Sequence, residues 1–262
     1  MNEYTTGPTI EELLDSAVEA INRQDHGSAR SLARQVLAVD RDNLEAEELM
    51  AVSDNGSVVQ RLTLLFVDVV DSVGLSTRLE PEMYSTVIRR YRDEVHRIVA
   101  TYEGHIGAAQ GDGLLITFGH PTPHENDAQR AVSAGLDIAA EVAALSRRLR
   151  RKFGFGIEVR VGVHRGVVTI DPVRDEVIGV GANLASRVCD LAEPGTVAIS
   201  EAVRRVLRED FTLEPLPPRS VKGFDKPLEH FRVLAERTEA PLLSGPLVGR
   251  DEEVAHLRRC WE

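Results

Sequence analysis

The sequence predicts an α+β sandwich whose elements follow the order β-α-β-β-α-β. Apolar runs at 62–67 and 114–118 have the length and composition of buried strands. Two longer stretches, 80–102 and 125–150, place apolar residues at the spacing of one helix face. Strands that are followed by helices and then by hairpins favour a sandwich of helices on a sheet.

Residues 61–234 form the predicted main body. Its expected elements are strand 61–69, helix 80–102, strands near 104–108 and 113–118, helix 125–150, strands 157–164 and 167–171, a strand or turn at 176–178, helix 181–191, strand 196–199, a short helix 200–208, and paired strands near 211–214 and 228–234.

Residues 1–52 are predicted to form a small appendage of three short helices. Thr9 and Glu12 make a capping box at the first of them. The apolar stripes of the first two helices, which include Leu14 and Val36, resemble one tetratricopeptide unit. Since a single unit cannot bury its own apolar face, we expect it to dock elsewhere in the protein. Residues 53–60 are predicted to be a linker.

The segment 235–262 differs from both regions. Pro241, Gly245 and Pro246 predict a linker, and the residues after them open a helix. We expect this helix to be the start of a further, truncated domain.

Composition excludes several classes of protein. A net charge of −11 argues against a nucleic-acid surface. The two cysteines, Cys189 and Cys260, lack motif spacing, which favours reduced thiols in a cytosol. No apolar run approaches membrane-spanning length, and the N-terminus lacks the features of a signal peptide. We therefore expect a cytoplasmic protein with no membrane partner.

Two aspartates lie beside the strand-like runs. Asp68 ends the first run, and Asp112 lies in the turn before the second. A carboxylate at the end of a buried strand is costly unless a cation or hydrogen bonds satisfy it. Two of them on neighbouring strands can hold two Mg²⁺ ions about 3.5–4 Å apart, as in phosphoryl transfer. The alternative is that each is a turn residue at a strand end.

Five segments, taken in order, resemble the motifs of class III nucleotidyl cyclases. They read FVDVVDS at 66–72, GDG at 111–113, RVGVHRG at 160–166, NLASR at 183–187 and VKG at 221–223. The variant is similar to bacterial cyclase domains that precede an ATPase module, and the tail at 246–250 is similar to the opening of that module. No G-x-x-x-x-G-K phosphate loop occurs in the sequence, so the ATPase itself is absent from it.

The resemblance implies a ferredoxin-like catalytic domain that converts ATP to 3′,5′-cyclic AMP and pyrophosphate. It also implies a head-to-tail homodimer with two Mg²⁺ or Mn²⁺ ions at each site. Asp68, Asp112 and the carbonyl of Val69 would hold the ions of one protomer. Asn183 and Arg187 of the other protomer would orient the ribose and neutralise charge on the transferring phosphate.

The resemblance also assigns the phosphate contacts. Backbone N–H groups of the turn 70–74, at Ser72 and Val73, would face the triphosphate. Arg160 and Lys222 would hold the outgoing pyrophosphate.

The chain departs from the family pattern where the base is read and where the phosphate turn begins. Asp71 stands where relatives have glycine. Ala108 or Gln110 stands where relatives carry a base-reading lysine, and Glu176 replaces a second base-reading residue, usually Asp. Two alternatives therefore stay open, namely a guanylate cyclase and a degenerate cyclase-homology domain that dimerises and regulates.

His164 lies in an apolar run and is interpreted as a core or strand-end residue.

Overall fold

A computed structural model describes residues 7–52, 58–107, 111–171, 176–207, 209–224 and 226–237. The helices are α1 Ile10–Asn22, α2 His26–Val39, α3 Leu44–Ala51, α4 Ser72–Arg78, α5 Pro81–Thr101, α6 Asp127–Phe153, α7 Val180–Leu191 and α8 Glu201–Val206. The strands are β1 Val58–Val69, β2 His105–Ile106, β3 Leu114–Phe118, β4 Val159–Asp171, β5 Glu176–Ile178, β6 Val197–Ser200, β7 Phe211–Arg219 and β8 Leu228–Glu236.

The strands form one sheet in the order β2-β3-β1-β4-β6-β8-β7, and β5 pairs with β4 beside this path. The central strand β1 is antiparallel to both β3 and β4, whereas β4 and β6 are parallel. Helices cover both faces of the sheet, so the predicted α+β sandwich is confirmed.

Successive residues of β1 face opposite sides of the sheet. Leu65 and Val67 lie in the largest core, which α5 and α6 complete on one face. Leu62 and Leu64 lie in a second core with Ala185 of α7 on the other face. The end of β1 therefore lies between two helical layers, and that end carries Asp68.

The three N-terminal helices pack on the far end of the same sheet. Their apolar stripes share a core with Val59 of β1 and Val167 of β4, and Leu14 and Val36 are fully buried there. The side-chain amide of Asn22 donates to the carbonyl oxygen of Val59 at 2.7 Å and accepts from its N–H at 3.2 Å. The surface on which the helices are expected to dock is therefore the sheet of the same chain.

Several boundaries differ from the predicted ones. β1 begins at Val58, inside the predicted linker 53–60, because Val58 and the residues after it pair with β4. β4 is one continuous strand where strands 157–164 and 167–171 are predicted, because it pairs with β1 without a break from Val159 to Ile170. β7 continues to Arg219 despite its prolines, because it is the edge strand of the sheet.

The helix α4 was not predicted. It has seven residues and follows β1 almost at once. Among the described helices, none combines the length and the apolar character needed to cross a membrane. The predicted domain start within 238–262 lies outside the described residues.

Candidate active site

The structure brings the carboxylates of Asp68 and Asp112 together. β1 and β3 pair up to Val67 and Leu114, so the turn before β3 lies beside the end of β1. Gly113 makes this approach possible, because a Cβ there would lie 2.9 Å from the Phe66 ring and 3.4 Å from Asp68 Oδ1.

The carboxylate pair is electrostatically unfavourable as it stands. Burial raises the pKa of Asp68 to about 6, and the charge of Asp112 adds to the rise. Oδ2 of Asp112 is buried and has no hydrogen-bond partner in the described part of the chain. Two crowded carboxylates with an unsatisfied buried oxygen fit a site for divalent cations.

Arg160 lies next to this pair, directly opposite Asp68 in the pairing of β1 with β4. Opposite residues on one face of an antiparallel pair have Cβ atoms about 4.5–5.5 Å apart. The guanidinium Nε of Arg160 is buried and unpaired among the described residues. An arginine at this register position, with an unpaired donor, could donate to an anionic ligand such as a phosphate.

Two residues of α5, Tyr91 and Arg92, lie beside the site but are not among the predicted site residues. Tyr91 is fully buried, and burial together with the charge of Asp68 raises the pKa of its hydroxyl. The guanidinium of Arg92 donates to the carbonyl oxygen of Gly111, in the turn that carries Asp112. The helical spacing of the apolar face of α5 predicts that Tyr91 is buried, but no motif marks Arg92.

The predicted phosphate turn begins with a carboxylate, Asp71, that pairs with a residue of the helix α4. Asp71 has φ of +53°, in the left-handed region that glycine adopts most easily. Its Oδ2 pairs with Nη2 of Arg78 at 2.9 Å. The carboxylate lies over Gly74, where a Cβ would approach it to 2.4 Å. Asp71 therefore has a partner within α4, whose first two residues are Ser72 and Val73, and both side chains of this pair are largely exposed.

The helix α7 carries the other two predicted catalytic residues. Asn183 and Arg187 are four positions apart, so they share one helix face. The Arg187 side chain is 36% exposed and pairs with Asp190 at 2.9 Å rather than with Asp68 or Asp112. α7 lies directly on β4, because a Cβ at Gly162 would be only 2.1 Å from the backbone nitrogen of Cys189.

The remaining predicted site residues lie on other elements. Lys222 is in the turn between β7 and β8, and Glu176 begins β5 opposite Asp171. Ala108 and Gln110 lie outside the described residues, so base reading stays a prediction.

The protein-family model for the adenylate and guanylate cyclase catalytic domain matches residues 56–234 of the sequence. The chain belongs to this family. Among solved structures, the cyclase domain is similar to the adenylyl cyclase CyaB from P. aeruginosa. That likeness has 28% identity and a TM-score of 0.65, and it covers 69% of this chain and 97% of the other.

Other relatives of the cyclase domain are guanylate cyclases. The guanylate cyclase domain of RhGC from Catenaria anguillulae, solved with GTP, shares the fold at 23% identity and a TM-score of 0.60, covering 68% of this chain and 98% of that one. Guanylate cyclase soluble subunit beta-2 of Homo sapiens is 27% identical over 177 residues, which are 65% of this chain and 28% of that protein. The chain spans between 20% and 28% of the length of the first curated relatives that it matches.

His164 of the cyclase domain is a core residue, as the sequence predicts. Its Nδ1 bonds to Oγ of Ser200 at 2.8 Å. Burial lowers the pKa of His164 to about 3, and the charges of Arg61 and Arg165 add to this effect. The imidazole is therefore neutral in the folded protein at ordinary pH.

Proposed function

We propose that this cyclase domain converts ATP to 3′,5′-cyclic AMP and pyrophosphate, at sites that two copies of the chain form together. The observation that carries the proposal is the crowded pair Asp68 and Asp112, with Arg160 opposite Asp68 on the neighbouring strand. A carboxylate pair of this kind suits two Mg²⁺ or Mn²⁺ ions, and the adjacent cation suits a triphosphate.

The ligand set would combine side chains and backbone. No three His, Cys, Asp or Glu side chains gather into a metal-binding group in the described residues. Asp68 and Asp112 would therefore need the carbonyl of Val69 and the substrate oxygens to complete the coordination. The bound ions would supply Lewis-acid activation of the ribose 3′-hydroxyl and neutralise charge at the α-phosphate.

The residues of the chain would position the reacting atoms and stabilise charge. The ribose 3′-hydroxyl would release its proton to solvent as its oxygen bonds to the α-phosphorus, the bond from that phosphorus to the bridging oxygen would break, and pyrophosphate would leave. Arg160 and Lys222 would hold the leaving pyrophosphate, and the N–H groups of Ser72 and Val73 would face the phosphates. Since Asp71 pairs with Arg78, its charge is partly offset where the triphosphate would lie.

A second copy of the chain would supply the other half of each site. Asn183 would orient the ribose, and the planar fork of Arg187 would stabilise the charge that develops on the transferring phosphate. The side chain of Arg187 is partly exposed and pairs with Asp190 rather than with the carboxylates of its own chain, which is compatible with this role.

GTP is the alternative substrate. Relatives named guanylate cyclases support it, while Ala108 offers no polar group to the edge of either purine. A site without a polar match discriminates by only about 10–200-fold. We therefore expect a modest preference for ATP.

The decisive experiment measures cyclic product from the purified chain with Mn²⁺ and either ATP or GTP. Asp68→Ala and Arg187→Ala should each be inactive alone and should regain activity when mixed, because a heterodimer contains one intact site. Subunit exchange is checked independently with labelled chains. Exchange without recovery would contradict a shared site, and no product from the native chain would favour a regulatory, non-enzymatic domain.

A further inference from the structure

The start of α7 is held by a carboxylate from the N-terminal helices. Glu48 of α3 accepts a hydrogen bond from the backbone N–H of Val180, with its two oxygens at 3.1 Å and 3.3 Å. The two residues are 132 positions apart in the chain. Burial raises the pKa of Glu48, while the bond from Val180 opposes the rise. The contact therefore joins the first helical segment to the helix that carries Asn183 and Arg187.

α7 has no cap of its own. Its N-cap residue is Gly179, which has no side chain to accept from the first turn, and the first turn holds no acidic residue. Gly179 has φ of +134°, and a Cβ there would lie 2.5 Å from Oε1 of Glu48. The glycine thus leaves the space that the carboxylate occupies. A negative charge at a helix N-terminus also interacts favourably with the helix dipole.

Glu48 is itself held in place. Ala46 and Leu49 of α3 are buried in the core that the N-terminal helices share with Val59. Glu45, on the same helix, bonds to the buried guanidinium of Arg61 on β1 at 2.7 Å. The position of α3 is therefore set by the sheet on which α7 also lies.

We propose that Glu48 is a positioning residue of the cyclase, which fixes the start of α7 and hence the placement of Asn183 and Arg187. The N-terminal helices then form part of the scaffold of the active site. The role in catalysis rests on the proposed function, because it is through Asn183 and Arg187 that the cap would affect turnover.

The test compares three variants of the full chain. Glu48→Ala removes the cap, Glu48→Gln keeps an acceptor oxygen without the charge, and Glu47→Ala changes an exposed neighbour on the same helix. Hydrogen–deuterium exchange of the amides at 180–187 should rise about three- to tenfold in Glu48→Ala. The rise should be smaller in Glu48→Gln and absent in Glu47→Ala.

Turnover gives the second readout. In Glu48→Ala, kcat should fall about three- to tenfold with little change in KM, because the substrate contacts of Asp68 and Arg160 remain. Glu48→Gln should recover part of kcat, which a general loss of folding would not allow. If Glu48→Ala lowers the melting temperature strongly, Glu48→Gln carries the comparison.

Equal exchange at α7 in Glu48→Ala and Glu47→Ala would overturn the proposal, and so would an unchanged kcat in an active Glu48→Ala chain. A native chain that turns over neither nucleotide would instead defeat the proposed function. The exchange comparison would then still decide whether Glu48 holds α7.

Discussion

The strand β1 carries charged residues at both ends, and the two ends are built in opposite ways. At one end, the guanidinium of Arg61 is 3% exposed and meets the carboxylates of Glu11, Asp15 and Glu45. At the other end, about 23 Å along the strand, Asp68 lies against a second carboxylate.

The difference lies in how the buried charge is compensated. Burial alone would lower the pKa of Arg61, but the charges of Glu45 and Glu11 more than reverse this effect, so the ion pairs favour the charged form. At Asp68, burial and the neighbouring carboxylate act together against the charged form. Compensated charge joins elements of the fold, whereas uncompensated charge is typical of a binding site.

The largest effect is expected at the uncompensated end. Asp68→Asn should reduce turnover by about 1,000-fold or more, because the pair no longer attracts divalent cations. The melting temperature of the metal-free protein should stay equal or rise, since a repulsive charge is removed. Steady-state assays and thermal unfolding measure the two effects.

Glu229→Gln, at an exposed carboxylate of β8, is the control and should change neither quantity. A large loss of stability in Asp68→Asn would mean that the carboxylate is compensated by the fold after all, and the comparison would fail.

At the Arg61 end of β1, where the buried charge is compensated, a substitution should lower the stability of the fold. Arg61→Met leaves the mostly buried carboxylate of Glu45 without its cation, while Arg165 still pairs with Glu11, and this should cost about 1–3 kcal/mol in the free energy of unfolding. Urea denaturation measures this change. The exposed pair of Arg97 and Glu94 supplies the control, because Arg97→Met should cost less than about 0.5 kcal/mol.

The charged residues at the two ends of β1 differ in how far their role can be predicted from the sequence. Asp68 and Asp112 can be found because each lies in a short motif at the end of an apolar run. Arg61 cannot be interpreted in the same way, because Glu11 and Glu45 are 50 and 16 positions away and nothing local links them to it.

Long-range packing explains the other differences between sequence and structure. Gly166 lies between the two strands that the sequence predicts in this region. In the folded chain its missing Cβ leaves room for the ring of His164, whose Nε2 would lie 2.8 Å from such an atom. α4 is short and contains Ser72, Gly74 and Thr77, which are weak helix formers, so its periodicity is too brief to recognise. The contact of Glu48 with α7 depends on the tertiary fold alone.

The smallest expected effect concerns a third buried group, His164, which is kept neutral. Its folded pKa of about 3 lies below its ordinary value of 6.5, so the stability that it contributes is present above pH 6.5 and is lost as the pH falls below it. Between about pH 7 and about pH 5.5, the native chain should lose about 1 kcal/mol on this account. In His164→Asn this part of the loss should disappear, as chemical denaturation at both pH values would record.

His96→Asn, at an exposed histidine of α5, should keep the pH dependence of the native chain. An unchanged slope in His164→Asn would show that His164 is protonated in the folded protein.

The bonds between Asn22 and Val59 have a consequence for the fate of shortened chains. β1 pairs with β3 only from Thr63 onward, so its first residues form an open edge on that side. The amide of Asn22 occupies the N–H and the carbonyl of Val59 as a neighbouring strand would do. A chain that began at Val58 would present these groups, together with the apolar surface that α1 covers, to any other strand. Such a chain would tend to aggregate through this strand edge, whose hydrogen-bonding groups Asn22 occupies in the native protein.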